Sequence, residues 1–355
     1  MKRNKPVVSG IIGVVLVLRA LPFVGACATP APAQTPPWKP PVLIKVGSTS
    51  TVSSGFVIGT AWLSGITERT GQKFRMTPGN ATIDRAKLLQ SGEVHFLYGT
   101  SGDLYNALRG RLDFKEAGWK PQAWRVVWIG HSSAIAYTTR GTSGIKTLYD
   151  IKRKRYPYLP SYPMINEYHS GGLAFANLTW DDVIKVNMGS SAEMQSAVLE
   201  GSCDVTTNAP HLQQAYDLVA SIYGLHWLEM PFADKEAWAR LSKAVPYFIP
   251  VRITQGAGVP KDRPLEMSGH CYQWACSADL DEQLVSWMTK QMHQCYDAYK
   301  GKHANLPEVT LDYTLDIANI VHPYHPGAIR YFKEIGRWTA ALEARQQRLL
   351  AELKE

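Results

Sequence analysis

Short apolar runs alternate with helical periods along residues 42–138, and this alternation constrains the fold more than any other feature of the sequence. Residues 42–47 form the first apolar run, which ends in a turn rich in serine and threonine, and residues 55–69 then follow a helical period. Further strands are predicted at 73–76, 94–98, 125–129 and 134–138. A β-α-β-α-β order favours an open α/β sheet over a β-sandwich, and we therefore predict the α/β class.

Three predicted strand-to-helix turns, 47–55, 77–82 and 99–103, are rich in hydroxyl residues, glycine or asparagine. Ligands of open α/β sheets bind outside the carboxyl ends of the strands, where helix N-termini also favour anions. Ligand contacts are therefore predicted for Ser48, Thr49, Ser50, Thr51, Asn80, Thr100 and Ser101. The alternative is that these residues only cap helices and form turns.

The C-terminal part of the chain shows two long helical periods. One covers residues 281–300, with apolar positions at three-to-four spacing. The other follows Pro326 and runs almost to the end of the chain. We therefore predict a second α/β stretch over the middle of the sequence, followed by a long C-terminal helix.

Residues 1–26 have the pattern of an export signal. Basic residues precede an apolar segment at 7–18, and Arg19 interrupts it before an 18-residue uncharged span is reached. The small residues that end in Cys27 resemble the signal of bacterial lipoproteins, which predicts lipidation of Cys27. Ordinary cleavage near Ala28 and an uncleaved anchor are the alternatives.

Residues 27–41 are predicted to be a proline-rich tether between the lipid anchor and the folded body. Six of the residues at 28–41 are proline, which favours an extended polyproline spacer. The whole chain carries a formal net charge of +8, and removal of residues 1–26 would lower it to +4. Such a mild charge gives no indication of nucleic-acid binding and suits a protein that handles small anions.

Three segments together resemble the TAXI class of solute-binding proteins of TRAP transporters. The strand and turn VGSTSTVSSGFVIGTA (46–61) is similar to the opening ligand loop of that class. ATIDRAKLLQSGEVHFLYGTSGDLYNAL (81–108) is similar to its second helix, strand and ligand turn, and HPGAIRYFKEIG (325–336) to its C-terminal signature. The resemblance covers roughly residues 42–340.

The resemblance implies a type II periplasmic binding protein fold, in which two α/β lobes are joined by a hinge and close on a ligand. Lobe 1 would comprise 42–139 and about 268–355, and lobe 2 would comprise 140–267. The implied function is an extracytoplasmic receptor that delivers a small carboxylate to TRAP membrane subunits, without enzymatic activity, cofactor or metal. A ligand sensor that serves a signalling partner is the alternative, followed by an exported enzyme.

The resemblance also indicates ligand contacts beyond the turns. Arg85 stands where the family often has asparagine, and a cation there could pair with a ligand carboxylate. A surface arginine is the alternative. Tyr162 and Asn208 are predicted contacts from lobe 2. The aromatic residue at 162 and the methionine at 164 indicate a larger or more apolar ligand, such as an aromatic acid.

The cysteines and histidines could form a disulfide or a metal site, or could serve the fold alone. Among Cys203, Cys271, Cys276 and Cys295, we predict one disulfide within the last three, because a bridge from Cys203 would join the lobes and hinder closure. A zinc site at His270, Cys271 and Cys276 is a weaker alternative. His322 and His325 flank prolines in the C-terminal signature, where a structural role is favoured over metal binding. The sequence lacks the common hydrolase and phosphate-loop motifs.

Overall fold

The computed structural model describes residues 38–51, 53–79 and 81–354, together with the isolated Gly10 and Gly13. Apart from those two glycines, the predicted signal peptide lies outside these residues, as do Cys27 with the rest of the tether up to residue 37, and Asn80. The strands are β1 (Leu43–Ser48), β2 (Lys73–Pro78), β3 (Phe96–Thr100), β4 (Trp124–Arg140), β5 (Arg155–Tyr158), β6 (Ile184–Asn187), β7 (Thr206–Asn208), β8 (Leu225–Leu228), β9 (Ile249–Ile253) and β10 (Leu265–Ser277). The helices are α1 (Ser54–Thr70), α2 (Thr82–Gln90), α3 (Ser101–Arg109), α4 (Asp113–Glu116), α5 (Pro163–Phe175), α6 (Ser191–Glu200), α7 (Gln213–Ala220), α8 (Lys235–Ala244), α9 (Glu282–Gln294), α10 (Tyr296–Tyr299), α11 (Leu311–Leu315), α12 (Pro326–Glu334) and α13 (Ala340–Glu352).

The main sheet has the order β2-β1-β3-β10-β4-β7, with β9 on β10 and β8 on β4. The first three strands are parallel, and β10 then pairs antiparallel with both β3 and β4. Strands β5 and β6 form a separate parallel pair. This mixed sheet with connecting helices confirms the predicted α/β class.

Two long antiparallel strands, β4 and β10, join two halves of the molecule. Residues 126–129 of β4 and 271–276 of β10 belong to a core that also contains Trp62 and Tyr98. The other ends of these strands pair with β7, β8 and β9, beside a second core around Tyr137. We call the part around the first core lobe 1 (β1–β3, α1–α4, α9–α13), and the part around the second lobe 2 (β5–β8, α5–α8). The two-lobed architecture is thus confirmed, whereas the predicted lobe boundaries stay a prediction.

The middle of β4 differs from the sequence prediction. Two separate strands were expected at 125–129 and 134–138, but β4 is continuous from Trp124 to Arg140. Ser132 and Ser133 pair with Cys271 and His270 of β10, and residues 130 and 131 lie at the register shift between Cys271 and Gln273. Backbone pairing with a long partner therefore carries the strand across a polar segment.

Both long helices predicted near the C-terminus are interrupted. The first ends at Gln294, because Cys295 leaves helical geometry at φ −94° and ψ 12°. The second is divided into α12 and α13 at Gly336, which has φ +68°. That left-handed conformation favours glycine and ends a helix, and Thr339 then caps α13 through its side chain.

The predicted disulfide is wrong. Cys203, Cys271, Cys276 and Cys295 are all buried free thiols. Cys271 and Cys276 lie five residues apart on β10, which places their Cα atoms roughly 16 Å apart, whereas a disulfide requires less than about 7 Å. The Cys271 Sγ atom instead lies 3.2 Å from the Tyr313 hydroxyl.

Among the described residues, no helix combines the length and apolar character that a membrane crossing requires.

Candidate functional site

The parallel strands β2, β1 and β3 bring the three predicted turns to one edge of the sheet. The Gly79 backbone N–H donates to the Ser48 carbonyl at 2.8 Å, which joins the first and second turns. The Ser48 hydroxyl donates to the Tyr98 carbonyl at 3.0 Å, which joins the first turn to β3. Ser48 is fully buried, so its hydroxyl serves this link between strands.

Hydroxyl groups of the first turn organise the N-terminus of α1. The Ser53 hydroxyl accepts from the Phe56 N–H at 3.4 Å and donates to the Ser50 carbonyl at 2.7 Å, while the Thr49 hydroxyl is hydrogen-bonded to Ser53. Thr51 is exposed. Four predicted residues thus share one turn, in which Ser50 and Thr49 have defined structural contacts and Thr51 faces solvent.

A paired arginine joins the second and third turns. Arg85 is 8% exposed, and its guanidinium contacts the Asp103 carboxylate at 3.0 Å, the Thr82 hydroxyl at 3.1 Å and the Gly79 carbonyl at 3.2 Å. Burial favours the neutral form of Asp103, but the Arg85 charge and hydrogen bonds from Thr100 and Thr82 lower its pKa below the ordinary value. The structure therefore gives Arg85 an internal counterion rather than an open position.

The third turn connects the lobes. Thr100 caps α3, because its hydroxyl accepts from the Asp103 N–H at 3.1 Å. The Ser101 hydroxyl donates to the Tyr247 carbonyl at 3.3 Å, and the Ser101 carbonyl lies 2.7 Å from Nε2 of His322. A Cβ atom on Gly102 would come within 3.2 Å of the Met164 sulfur at the start of α5. The N-termini of α3 and α5 are therefore close neighbours.

Aromatic and imidazole rings line the connection between the lobes below these turns. The Tyr98 hydroxyl is 2.7 Å from Nδ1 of His131, and the His131 ring stacks on Tyr272 with centroids 4.6 Å apart. On the other side, the Tyr168 ring from α5 stacks on His270 at 5.4 Å. We call these five residues the ring cluster. Its members come from β3, β4, β10 and α5, and so from both lobes and both connecting strands.

The histidines of the ring cluster are neutral at neutral pH. Burial lowers the pKa of His131 to about 3 and that of His270 to about 4. The Nδ1 atom of His270 has no hydrogen-bond partner among the described residues. Neutral imidazoles and phenols can donate or accept hydrogen bonds without adding charge, so the cluster offers a polar and largely uncharged wall.

Close packing joins the first turn to the ring cluster. A Cβ atom on Gly55, in the first turn of α1, would lie 2.5 Å from the Tyr272 ring and 2.9 Å from the Thr49 hydroxyl. Only glycine permits this approach, so the start of α1 rests directly on Tyr272. The first turn of lobe 1 and the ring cluster are therefore in direct contact.

The two residues predicted from lobe 2 occupy different environments. Tyr162 precedes α5 and is 42% exposed. Asn208 ends β7, is buried, and accepts from the Ala209 N–H through its own side chain at 2.9 Å. The hydrogen bonds of the described residues do not connect either of them to the turns of lobe 1.

The other histidines and cysteines have structural contacts. His325 caps α12, because its Nδ1 atom accepts from the Gly327 N–H at 3.0 Å. His270 and Cys271 are consecutive on β10, so their side chains point to opposite faces of the sheet and do not converge on one ion. Within the part of the chain that the structure describes, no group of three or more ligating side chains could hold a metal.

Sequence reasoning missed the ring cluster. Tyr98 lies in a strand that was predicted, but its partners come from segments up to 174 positions away along the chain. His131 sits in the polar segment that had been taken as a break between two strands. The polar segment 130–133, which carries His131 between two apolar runs, was the feature of the sequence that could have indicated the cluster.

Comparisons with known proteins support one family. The profile of the NMT1-like family matches residues 46–336. A search of curated proteins finds no match. Similar solved structures include the periplasmic aliphatic sulphonate binding protein SsuA of Escherichia coli, with 13% identity, coverage of 86% of this chain and 92% of that chain, and a TM-score of 0.44.

Two further structures show the same degree of similarity. PhnD1 of Prochlorococcus marinus in complex with methylphosphonate has 10% identity, coverage of 83% of this chain and 99% of that chain, and a TM-score of 0.44. A putative sulfonate-binding SsuA of Methylobacillus flagellatus has 15% identity, coverage of 73% and 67%, and a TM-score of 0.44.

Proposed function

Because the chain belongs to the NMT1-like family, we propose that it is an extracytoplasmic solute-binding receptor that captures a small organic acid between its two lobes. The observation that carries this proposal is that the three turns of lobe 1, the start of α5 in lobe 2 and the ring cluster on the connecting strands lie together where the lobes meet. Contacts from both lobes favour the closed form when a ligand is present.

The chemistry of these residues favours an anion with a flat or apolar body. The N-termini of α1, α3 and α5 contribute backbone N–H groups and partial positive charge for an acidic group. The rings of Tyr272 and Tyr168 offer apolar area. Donors from Thr49–Thr51 and Thr100–Ser101 would hold the acid, with Asn80, Tyr162 and Asn208 as further contacts.

Arg85 fits a positioning role in this proposal. Its guanidinium already contacts Asp103, Thr82 and the Gly79 carbonyl, so it fixes the second and third turns relative to each other. The ligand carboxylate would then rely on backbone N–H groups and hydroxyls. Such donors bind small acids without a free cation.

A more specific part of the proposal concerns the membrane partner and the attachment of the protein to a membrane. The resemblance of the sequence to TAXI receptors supports delivery of the ligand to TRAP membrane subunits. The export pattern and Cys27 support a lipid-anchored protein on the outer face of a membrane. Mass spectrometry of the exported protein would test the anchor: lipid on an N-terminal Cys27 is expected, and an unmodified start elsewhere would contradict it.

A thermal-shift screen tests the proposed ligand class. The panel would contain aliphatic and aromatic carboxylates, sulfonates, phosphonates and amino acids, followed by calorimetry on the hits. A carboxylate that raises Tm and binds at a ratio of one to one without being converted supports the receptor. Turnover of the ligand would indicate an enzyme, and binding restricted to another class would replace the carboxylate assignment.

A further inference from the structure

A groove between α5 and β6 in lobe 2 has the features of a second small-molecule site. Its volume is about 480 Å³, within the usual range of ligand pockets. It is lined by Tyr158, Pro163, Asn166, Glu167, Ser170, Trp180, Lys185 and Asn187. We call it the β6 groove, after the strand that carries Lys185 and Asn187.

The β6 groove lies on a different side of α5 from the ring cluster. Successive helical residues are 100° apart, so Asn166 and Ser170 share one face of α5. Tyr168 lies two positions from each, and therefore on nearly the opposite face, where it stacks on His270. A ligand in the β6 groove would thus be separated from the proposed cleft by the helix itself.

The aromatic wall of the groove is fixed in place. The Trp180 indole N–H donates to the Ser170 hydroxyl at 2.9 Å, and that hydroxyl donates to the Asn166 carbonyl at 2.8 Å. The Tyr158 ring packs edge-on against Trp180, with centroids 5.3 Å apart. A planar ligand would therefore meet a preorganised ring surface and lose little side-chain entropy on the protein side.

The polar side of the groove is suited to an anion. Lys185 and Asn187 are two residues apart on β6 and so point to the same face. Lys185 is exposed and has no acidic partner within ion-pair distance among the described residues, whereas the nearby Lys152 contacts Asp182 at 3.3 Å. The one carboxylate in the lining, Glu167, is compensated by Arg111 and by the Tyr247 hydroxyl.

We propose that the β6 groove binds a planar aromatic anion, which stacks on Trp180 while its acidic group contacts the Lys185 ammonium and the Asn187 amide. An aromatic ring and a single cation in one groove suit a small ligand with one ring and one acidic group, such as benzoate. None of the turns of lobe 1 contributes to the groove, and its only residue at the start of α5, where the proposed cleft also lies, is Pro163.

Nuclear magnetic resonance of the whole isotope-labelled protein tests the β6 groove with benzoate as the probe. The indole N–H resonance of Trp180 would be assigned by its loss in Trp180→Phe. Benzoate is expected to shift that resonance in a saturable manner. Benzamide, which lacks the charge, and cyclohexanecarboxylate, which lacks the aromatic ring, are expected to bind more weakly.

Two lysine variants provide the decisive comparison. Lys185→Met should weaken benzoate binding roughly two- to five-fold, as expected for loss of an exposed ion pair. Lys146→Met removes another exposed lysine of the same part of the chain and should leave the affinity unchanged. No shift of Trp180 at the solubility limit of benzoate, or equal affinity in Lys185→Met, would overturn the proposal. Shifts confined to Gly55 and its neighbours would place benzoate in the cleft and would overturn it as well.

Discussion

At the scale of single residues, the contact between Arg85 and Asp103 joins α2 to the start of α3. Asp103 accepts from the Thr100 N–H at the start of α3, and Arg85 holds Asp103 from α2. The ion pair is mostly buried, with side-chain exposures of 10% and 17%. Removing one partner of a buried pair leaves the other charge uncompensated, so such pairs are sensitive to single substitutions.

Arg85→Ala is therefore expected to lower the free energy of unfolding by about 3 kcal/mol. Arg85→Met combined with Asp103→Asn should recover part of this loss, because no unpaired charge then remains. Urea unfolding measures both. Near-native stability of Arg85→Ala together with a large loss of ligand affinity would instead show that Arg85 binds the ligand carboxylate.

His270 is expected to make stability depend on pH. Burial holds its pKa at about 4 in the folded protein, against 6.5 for an ordinary histidine, so only the unfolded chain binds a proton between these values. Its contribution to stability is therefore fully present above about pH 6.5 and decreases as the pH falls towards 4, by up to about 1.4 kcal/mol per pH unit. His270→Gln should show a shallower fall in the free energy of unfolding over this window. Parallel curves for the two proteins would contradict the assignment.

At the scale of elements, the strands β1, β2 and β3 could be predicted from the sequence, but β8, β10 and the ring cluster could not. Apolar runs ending in Gly/Ser/Thr turns mark β1 and β3, because strand and turn are local properties. The ring cluster depends on contacts among β3, β4, β10 and α5, which local periodicity does not encode. The same limit explains the errors at residues 130–133 and at Gly336, where pairing with β10 and one left-handed residue overrule the periodic pattern.

The close packing of α1 on Tyr272 leads to a prediction for Gly55. Gly55→Ala places a methyl group 2.5 Å from a ring that is only 8% exposed and cannot move freely. The expected cost is about 1–3 kcal/mol in the free energy of unfolding, as for other overpacked sites. Gly301→Ala is the matched control, since no atom lies within 4 Å of the added Cβ atom there. Equal stability of the two variants would show that α1 does not rest on Tyr272.

At the scale of the whole molecule, a carboxylate of lobe 2 holds the lobes together away from the turns. Glu167 on α5 accepts from the Arg111 guanidinium of lobe 1 at 2.5 Å and from the Tyr247 hydroxyl at 2.7 Å. The contact with Arg111 exists only in the arrangement of lobes described here, whereas Tyr247 packs in the same core as α5. The contact with Arg111 therefore stabilises this arrangement relative to any form in which the lobes separate, whether or not a ligand is present.

Arg111→Met is consequently expected to shift the molecule towards a more open form without altering any contact proposed for the ligand of the cleft. The Arg111 side chain is 39% exposed, so the loss should be near the upper end of the values for exposed pairs, about 1 kcal/mol. If binding requires the closed form, the affinity for the ligand should fall in proportion to the population of that form, by at most about five-fold. Small-angle scattering of the ligand-free protein should show a larger radius of gyration, and calorimetry should show the weaker binding.

Arg263→Met, which removes an ion pair to Glu229 away from α3 and α5, should change neither quantity. Unchanged affinity and unchanged size in Arg111→Met would mean that the contact with Glu167 does not control closure, and the balance between open and closed forms would then be set by the ring cluster and the connecting strands.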